Sequence, residues 1–349
     1  VADLQPVDPA IVDVGRLQSW MDSCGLGSGP LSAVQALRGG TQNLLLRFER
    51  SGRAYVLRRP PANKRRNSDE TMRREARVLA ALADTPVRHP RLIAAESDES
   101  VLGAAFYLME PVDGFNATIE LPAWHAASAV RRREMGLAFI DQLLALHAVN
   151  YSDVGLEGFG RPDGYLERQV ARWQKQLDSY SDLDGYGGPE IPHLVDVAGW
   201  LEQNRPPQSP SGIIHGDYHL ANVMFRRDDT QLAAIVDWEL ATIGDPLIDL
   251  GLVMAMWPQS GEPVQAASVQ PWDGFPTIDE LVARYAAGSS RDLSSIVWYG
   301  VLACYKTGII LEGTYARSAA GLAAKEFGEL LHLTTVRLFG RAADFIDSA

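Results

Sequence analysis

The chain has 349 residues, 46% of them hydrophobic and 22% charged, and a formal net charge of −12. That is enough apolar material for a sizeable core, and at ~150 residues per domain it suggests about two domains. It is not the composition of a disordered or fibrous chain. The acidic balance disfavours a general nucleic-acid binder or a basic membrane-surface protein.

Two cysteines, Cys24 and Cys304, make no disulfide framework, and a reducing compartment is the simpler reading. Asp3, Asp8 and Asp13 interrupt the opening residues, so no signal-peptide pattern is visible. No apolar stretch approaches the ~20 residues of a membrane span; the stretch from Ile296 to Leu311 is short and holds Lys306. The expectation is a cytoplasmic protein with no membrane and no nucleic-acid partner. Charge is unevenly spread: residues 1–110 carry +2 and the remainder −14. Such asymmetry suggests parts with different electrostatic tasks, a positive one suited to an anion and an acidic one suited to a cation.

In chain order, residues 9–23 read as an amphipathic helix, closed by Gly25, Gly27, Gly29 and Pro30. Residues 31–60 are strand-like, and the polar turn at 49–53 makes a hairpin of Leu44–Phe48 and Ala54–Arg59. Asp69 to Leu82 is a helix with Val78, Leu79 and Leu82 opposite Arg73, Arg74 and Arg77. Phe106 to Met109 is a strand. The remainder is mostly helical: Ala129–His147, Gly164–Tyr180, Leu194–Glu202 and the region after Pro246. Short strands at Ile213–Ile214 and Leu232–Val236 bracket the most polar motif of the chain.

That motif, His215-Gly-Asp217-Tyr-His219-Leu-Ala-Asn222, holds four side chains able to bind protons, cations or hydroxyls. Asp217 and Asn222 are five apart, so only a folded loop brings both to one site. A second motif, Ile235-Val-Asp237-Trp-Glu239, ends an apolar strand on a carboxylate, which needs a cation or a donor beside it. Mg²⁺ takes one or two protein oxygens plus phosphates and waters, and Asn222 with Asp237 supplies such a pair. Gly39-Gly40-Thr41-Gln42-Asn43 sits between strands, where small residues let backbone approach phosphate. Alternation puts Val56 and Arg58 on one strand face and Arg59 on the other. Arg58 can hold phosphate oxygens bidentately, and Glu75 can orient it by an ion pair.

These pieces resemble the protein-kinase-like fold and, more narrowly, the aminoglycoside phosphotransferase family. Tyr55-Val-Leu-Arg-Arg-Pro-Pro61 resembles the branch found as the kinase-like domain of some acyl-CoA dehydrogenase proteins. The resemblance implies an α+β, two-lobed architecture: residues 1–112 as a small, mostly antiparallel nucleotide-binding lobe with a leading helix, and 113–349 as a larger, mainly helical catalytic and acceptor-binding lobe. It implies ATP and Mg²⁺ as cofactors, with Asp217 as the catalytic Asp and Asn222 and Asp237 as metal ligands. It puts Gly40, Thr41, Asn43, Arg58 and Glu75 at the phosphates. The carbonyl of Glu110 and the N–H of Val112, in the linker 106–114, would meet adenine.

Arg58 stands where kinases carry lysine, and the glycine loop lacks the GxGxxG spacing. No long activation segment follows Asp237, which favours a small-molecule acceptor over a protein. The expected activity is transfer of the γ-phosphoryl group to a hydroxyl of an aminoglycoside-like compound, hydroxylated amine, sugar or hydroxyacyl compound. The acidic second part is suited to a cationic acceptor. A nucleotide-binding regulator that transfers nothing, and an ATP hydrolase, are the competing readings. His215 reads as a structural histidine that holds Asp217 in place, and Asp249 as a support for the loop through backbone donors.

Overall fold

The computed structural model describes residues 5–6, 12–37, 43–207, 209–259 and 269–349. Its first part is a six-stranded antiparallel sheet in the order β1-β2-β3-β4-β6-β5, with β1 Gln5–Pro6, β2 Ser32–Ala36, β3 Leu44–Arg50, β4 Arg53–Arg59, β5 Leu92–Glu96 and β6 Phe106–Met109. β3 and β4 are joined by Ser51 and Gly52, both at positive φ, the conformation that matches the twist of a two-residue hairpin. The turn is therefore tighter than the five-residue segment expected from composition. β5 has no counterpart among the expected elements.

The period of two along the strands sorts the side chains by face. Tyr55, Leu57, Phe106 and Leu108 point to one side, where Leu17, Trp20 and Met21 of α1 (Val14–Ser23) complete an apolar cluster. α1 begins later than expected because Asp13 caps it, accepting from the Arg16 N–H at 2.9 Å. Arg58 and Tyr107 point to the other side, against α2 (Ser68–Ala81). Met72, Glu75, Ala76 and Leu79 form the buried stripe of α2 at helical spacing.

The arginines of α2 do not simply face solvent. Arg74 reaches the carbonyls of Phe159 and Ala241 at 2.9 and 3.1 Å, and Arg77 those of Gly155 and Glu157. They tie the small lobe to the large one.

The large lobe is helical: α3 Ala123–Ala126, α4 Ala129–Ala148, α5 Gln169–Asp178, α6 Leu194–Gln203, α7 Leu247–Met256, α8 Ile278–Gly288, α9 Ile296–Ala319 and α10 Lys325–Asp347. α5 is shorter than the expected 164–180 helix. Its core cluster runs continuously from α2 to α10. Two small antiparallel ladders are set into it: β7 (Gly212–Ile214) with β10 (Thr242–Gly244), and β8 (Val223–Phe225) with β9 (Leu232–Ile235). The expected α+β, two-lobed architecture is the one observed. Among the described residues no helix is long and apolar enough to cross a membrane.

Candidate active site

The loop between β7 and β8 carries the His-Gly-Asp motif, and its shape is set from beneath. Asp249 of α7, fully buried, accepts the backbone N–H groups of His215 and Gly216 at 2.7 and 2.8 Å. A buried carboxylate with two backbone donors is stable where a lone one is not. Gly216 sits at φ +86°, and a Cβ there would lie 2.6 Å from the Leu240 carbonyl oxygen. Only glycine fits this position.

His215 is buried and bridges two loops. Its Nδ1 accepts the Asp217 N–H at 3.2 Å, so Nε2 carries the proton donated to the Val236 carbonyl at 3.0 Å. Burial lowers its pKa, outweighing the nearby Asp249 and Asp217. It is the structural histidine the sequence suggests.

The loop does fold back. Asn222 Nδ2 donates to Asp217 Oδ2 at 2.7 Å and to the Asp217 carbonyl at 3.0 Å. His219 Nε2 lies 3.3 Å from Asp217 Oδ2. Burial alone would raise the Asp217 pKa, but His219, His215 and Lys306 together hold it down at about 2. Asp217 is therefore ionised throughout the neutral range and close to hydrogen-bonding groups that fix its rotamer.

The second motif is stitched to the first. The Val236 N–H donates to the Asn222 carbonyl at 2.9 Å, so Asp237 emerges beside the loop. Asp237 is left-handed (φ +65°), an uncommon conformation for a residue other than glycine, and its carboxylate is partly exposed. The donor it needs is Arg58, whose Nη2 reaches Asp237 Oδ1 at 2.8 Å. Arg58 also lies 3.0 Å from Glu75 Oε2 through Nε, and Tyr107 donates to the same carboxylate at 2.9 Å. Burial would depress the Arg58 pKa, but Glu75, Tyr107 and Asp237 more than reverse it, so it stays a cation. Burial pushes Glu75 up to about 7 against the pull of Arg58. Arg59, on the other face, turns to the Pro60 carbonyl at 3.1 Å, as strand alternation requires.

Asn222 and Asp237 offer the hard oxygens that Mg²⁺ takes. Among the described residues no group of three or more His, Cys, Asp and Glu side chains is arranged for a metal, so the remaining ligands would have to be phosphates and waters. The surroundings suit a cation. Burial raises the Glu239 pKa, and Asp237 and Asp217 add to it. Glu239 thus feels the negative charge of both motif carboxylates.

Of the other expected residues, Gly40 and Thr41 lie outside the described residues, and Asn43 immediately precedes β3. Glu110 and Val112 follow β6, which pairs with β4 so that Arg58 is opposite Tyr107. The Glu110 side chain pairs with Arg53 at 2.9 Å. The two linker residues border a separate cavity of about 450 Å³ with Arg88, His89, Arg91 and Arg226, whose walls include neither Arg58 nor Asp237.

A larger cavity, about 1180 Å³, opens against Gly216 and Glu239. Tyr165, Trp173 and Tyr180 line it, along with Leu302, Ala303 and Ile310 of α9. Among the described residues six cationic side chains border it, Arg65, Arg74, Arg161, Arg168, Arg172 and Lys306, against one carboxylate, Glu239. Arg65 is exposed, in the segment between β4 and α2. Lys306, from the apolar run of α9, donates to the Gly216 carbonyl at 2.9 Å. Sequence reading gives Lys306 no role; its one signal is a lone charge in an apolar helix.

A Ralstonia eutropha protein, crystallised as a candidate aminoglycoside phosphotransferase, superposes with a TM-score of 0.78 at 28% identity, covering 95% of this chain and 99% of that one. Acyl-CoA dehydrogenase family member 11 of Gallus gallus is 32% identical over 329 residues, 90% of this chain and 41% of its own length. The Homo sapiens protein of that name is 31% identical over 296 residues, 82% of this chain and 36% of its own. The chain thus spans about two fifths of the length of these curated relatives. Residues 33–285, carrying both motifs, Arg58 and Glu75, match the family of phosphotransferase enzymes as a whole, and the chain belongs to that family.

Proposed function

We propose that the protein uses ATP and Mg²⁺ to phosphorylate a hydroxyl of a small, negatively charged molecule. The observation that carries the reading is one connected network. Glu75 holds Arg58, Arg58 holds Asp237, and the Asp237 strand is bonded to the loop of Asp217 and Asn222, next to the large cavity. The division of labour follows a lobe boundary at residue 112, with the nucleotide between the lobes and the acceptor in the large one.

In this reading Arg58 binds phosphate oxygens as a planar donor, and Glu75 keeps it aimed. Gly40, Thr41 and Asn43 are assigned to the phosphates, and the Glu110 carbonyl and Val112 N–H to adenine, as the family resemblance implies. Asn222 and Asp237 would hold Mg²⁺, which when bound would neutralise charge on the phosphate oxygens. Asp217 would accept a hydrogen bond from the acceptor hydroxyl, turning a lone pair of the hydroxyl oxygen toward the γ-phosphorus. It would take the proton as the new O–P bond forms and the γ-phosphoryl bond to ADP breaks, leaving a phosphate monoester and ADP. A pKa of about 2 makes Asp217 a weak base. That suffices when bond-making lags bond-breaking, because the proton leaves late.

The acceptor's sign follows from the cavity walls rather than from the acidity of the large lobe as a whole. Six cations against one carboxylate favour a carboxylate or phosphate on the acceptor over the cationic compound that net charge suggests.

The test is incubation with ATP and Mg²⁺ against hydroxy acids, phosphorylated alcohols, sugars and aminoglycosides, with detection of products heavier by one phosphoryl group. A product from an anionic alcohol is expected. A product from aminoglycosides alone would overturn the assigned sign. ADP without product would indicate hydrolysis, and bound ATP with no turnover would indicate a regulator.

A further inference from the structure

We propose that Lys306 is a positioning residue for the transfer, an ammonium that clamps the Gly216–Asp217 peptide and presents positive charge to the acceptor. The inference rests on the transferase reading above and adds a residue to it. Gly216 is gripped at both ends. Its N–H donates to Asp249 of α7 at 2.8 Å, and its carbonyl accepts from Lys306 of α9 at 2.9 Å. The residue immediately before Asp217 is thus held between a carboxylate and an ammonium from two packed helices. An error of even ~1 Å in placing a catalytic group costs about 10²-fold in rate, so such a clamp has a kinetic purpose.

Lys306 is also the only charged residue between Ile296 and Leu311. A lysine in an apolar helix is unfavourable unless its charge is used. The ammonium has three donors, and the Gly216 carbonyl takes one. The side chain lines the large cavity, with its Nζ 5.8 Å from the centre of the Trp173 ring. Trp173, on the same wall, has a buried indole N–H without a hydrogen-bond partner. The groups acting on Lys306 are Asp217 and Asp249, which favour its charge, and Arg172, which opposes it; burial outweighs them and lowers its pKa.

Two measurements test the assignment. The first is ADP release from ATP and Mg²⁺ with water as sole acceptor, between pH 7 and pH 10, in wild type, Lys306→Met and Lys306→Arg. Lys306→Met should lose about 10²-fold in kcat with the ATP KM little changed. Wild type should lose turnover as the ammonium deprotonates, and Lys306→Arg should carry that alkaline limb to higher pH. A purely structural lysine would change the melting temperature and leave the limb in place, which would overturn the proposal.

The second needs no turnover. The chain has four lysines, so ε-¹³C-lysine NMR resolves Lys306, assigned by its loss in Lys306→Arg. Its titration should move to lower pH in Asp217→Asn, where a stabilising negative charge is gone. An unmoved titration refutes the coupling between ammonium and loop. If wild type releases no ADP with water alone, water does not stand in for the acceptor and the titration decides whether Lys306 serves the loop; the transferase reading fails only if the acceptor screen also yields no product.

Discussion

The two sides of the cleft handle positive charge in different ways. On the side proposed for the nucleotide, Arg58 is buried, and its guanidinium is already committed to Glu75 and Asp237. On the side proposed for the acceptor, Arg161, Arg168 and Arg172 are exposed, on and just before α5, and their charge faces a large open volume. A buried cation is tolerable only with its partners in place, so the first arrangement is rigid before any ligand arrives. An exposed cation costs little to keep and fixes no geometry, so the second sets charge without setting shape. The network therefore suits a ligand of one shape, and the cavity suits a class of ligands of one sign.

The largest effect should come where the two sides meet. Asp217→Asn keeps the size of the side chain but removes the carboxylate that would take the hydroxyl proton. Transfer should fall by about 10³-fold, within the range general bases contribute, while ATP affinity changes less than about threefold. Isothermal titration with ATP beside a steady-state assay checks both. Equal loss of binding and turnover would mean that Asp217 serves the nucleotide side only.

Next is the support beneath the loop. Asp249→Asn leaves a side-chain NH₂ facing one of the two backbone N–H groups that the carboxylate now accepts. Leaving a buried donor unmet costs about 1–3 kcal/mol, so unfolding by denaturant should shift by that much and turnover should fall with it. A stable variant with full activity would show that the loop holds its shape without Asp249.

The third prediction concerns pH on the nucleotide side. Glu75, pushed up by burial to about 7, gains a proton as pH falls from 8 towards 6. Arg58 then loses its partner's negative charge, so ATP affinity should weaken over that window. In Glu75→Gln, affinity should be about tenfold weaker at pH 8, the equivalent of ~1.4 kcal/mol, and should change less with pH than wild type does. Comparing the two proteins by calorimetry removes the titration of ATP itself. Parallel profiles would show that Glu75 does not set the pH dependence.

The same contrast decides what could be read from sequence. The nucleotide side is concentrated in short runs: 215–222, 235–239, 55–61 and one glutamate on an amphipathic helix. Period-two alternation alone separates Arg58 from Arg59, and the structure keeps that separation. The supporting roles of His215 and Asp249 were legible because buried polar residues must find partners. The cavity was not legible. Its walls come from Arg65, Arg74, Gly216 and residues 158–180, 239–252 and 299–310, which only tertiary packing brings together. β5, with its half-exposed Leu-Ile-Ala-Ala-Glu, has too weak a pattern to announce a strand. Arg74 and Arg77 read as a solvent face because helix periodicity does not show that a second lobe stands there.

The smallest expected effect is on the acceptor side, and it tests the charge argument most directly. Arg172 is exposed, and its guanidinium lies 4.9 Å from the centre of the Trp173 ring on the wall that also holds Lys306. One exposed charge at such a rim is worth roughly 0.2–1 kcal/mol, so Arg172→Gln should raise the KM for an anionic acceptor only about two- to fivefold, with kcat and ATP affinity unchanged. Its dependence on salt should be the clearer sign. The Debye length is ~10 Å at 0.1 M and ~3 Å at 1 M, so wild type and Arg172→Gln should converge as salt is raised. Arg172→Glu should roughly double the effect at low salt, because it inserts repulsion as well as removing attraction. If Arg172→Glu instead improves the acceptor KM, the acceptor is a cation, and the negative sign assigned to it from the cavity walls is wrong.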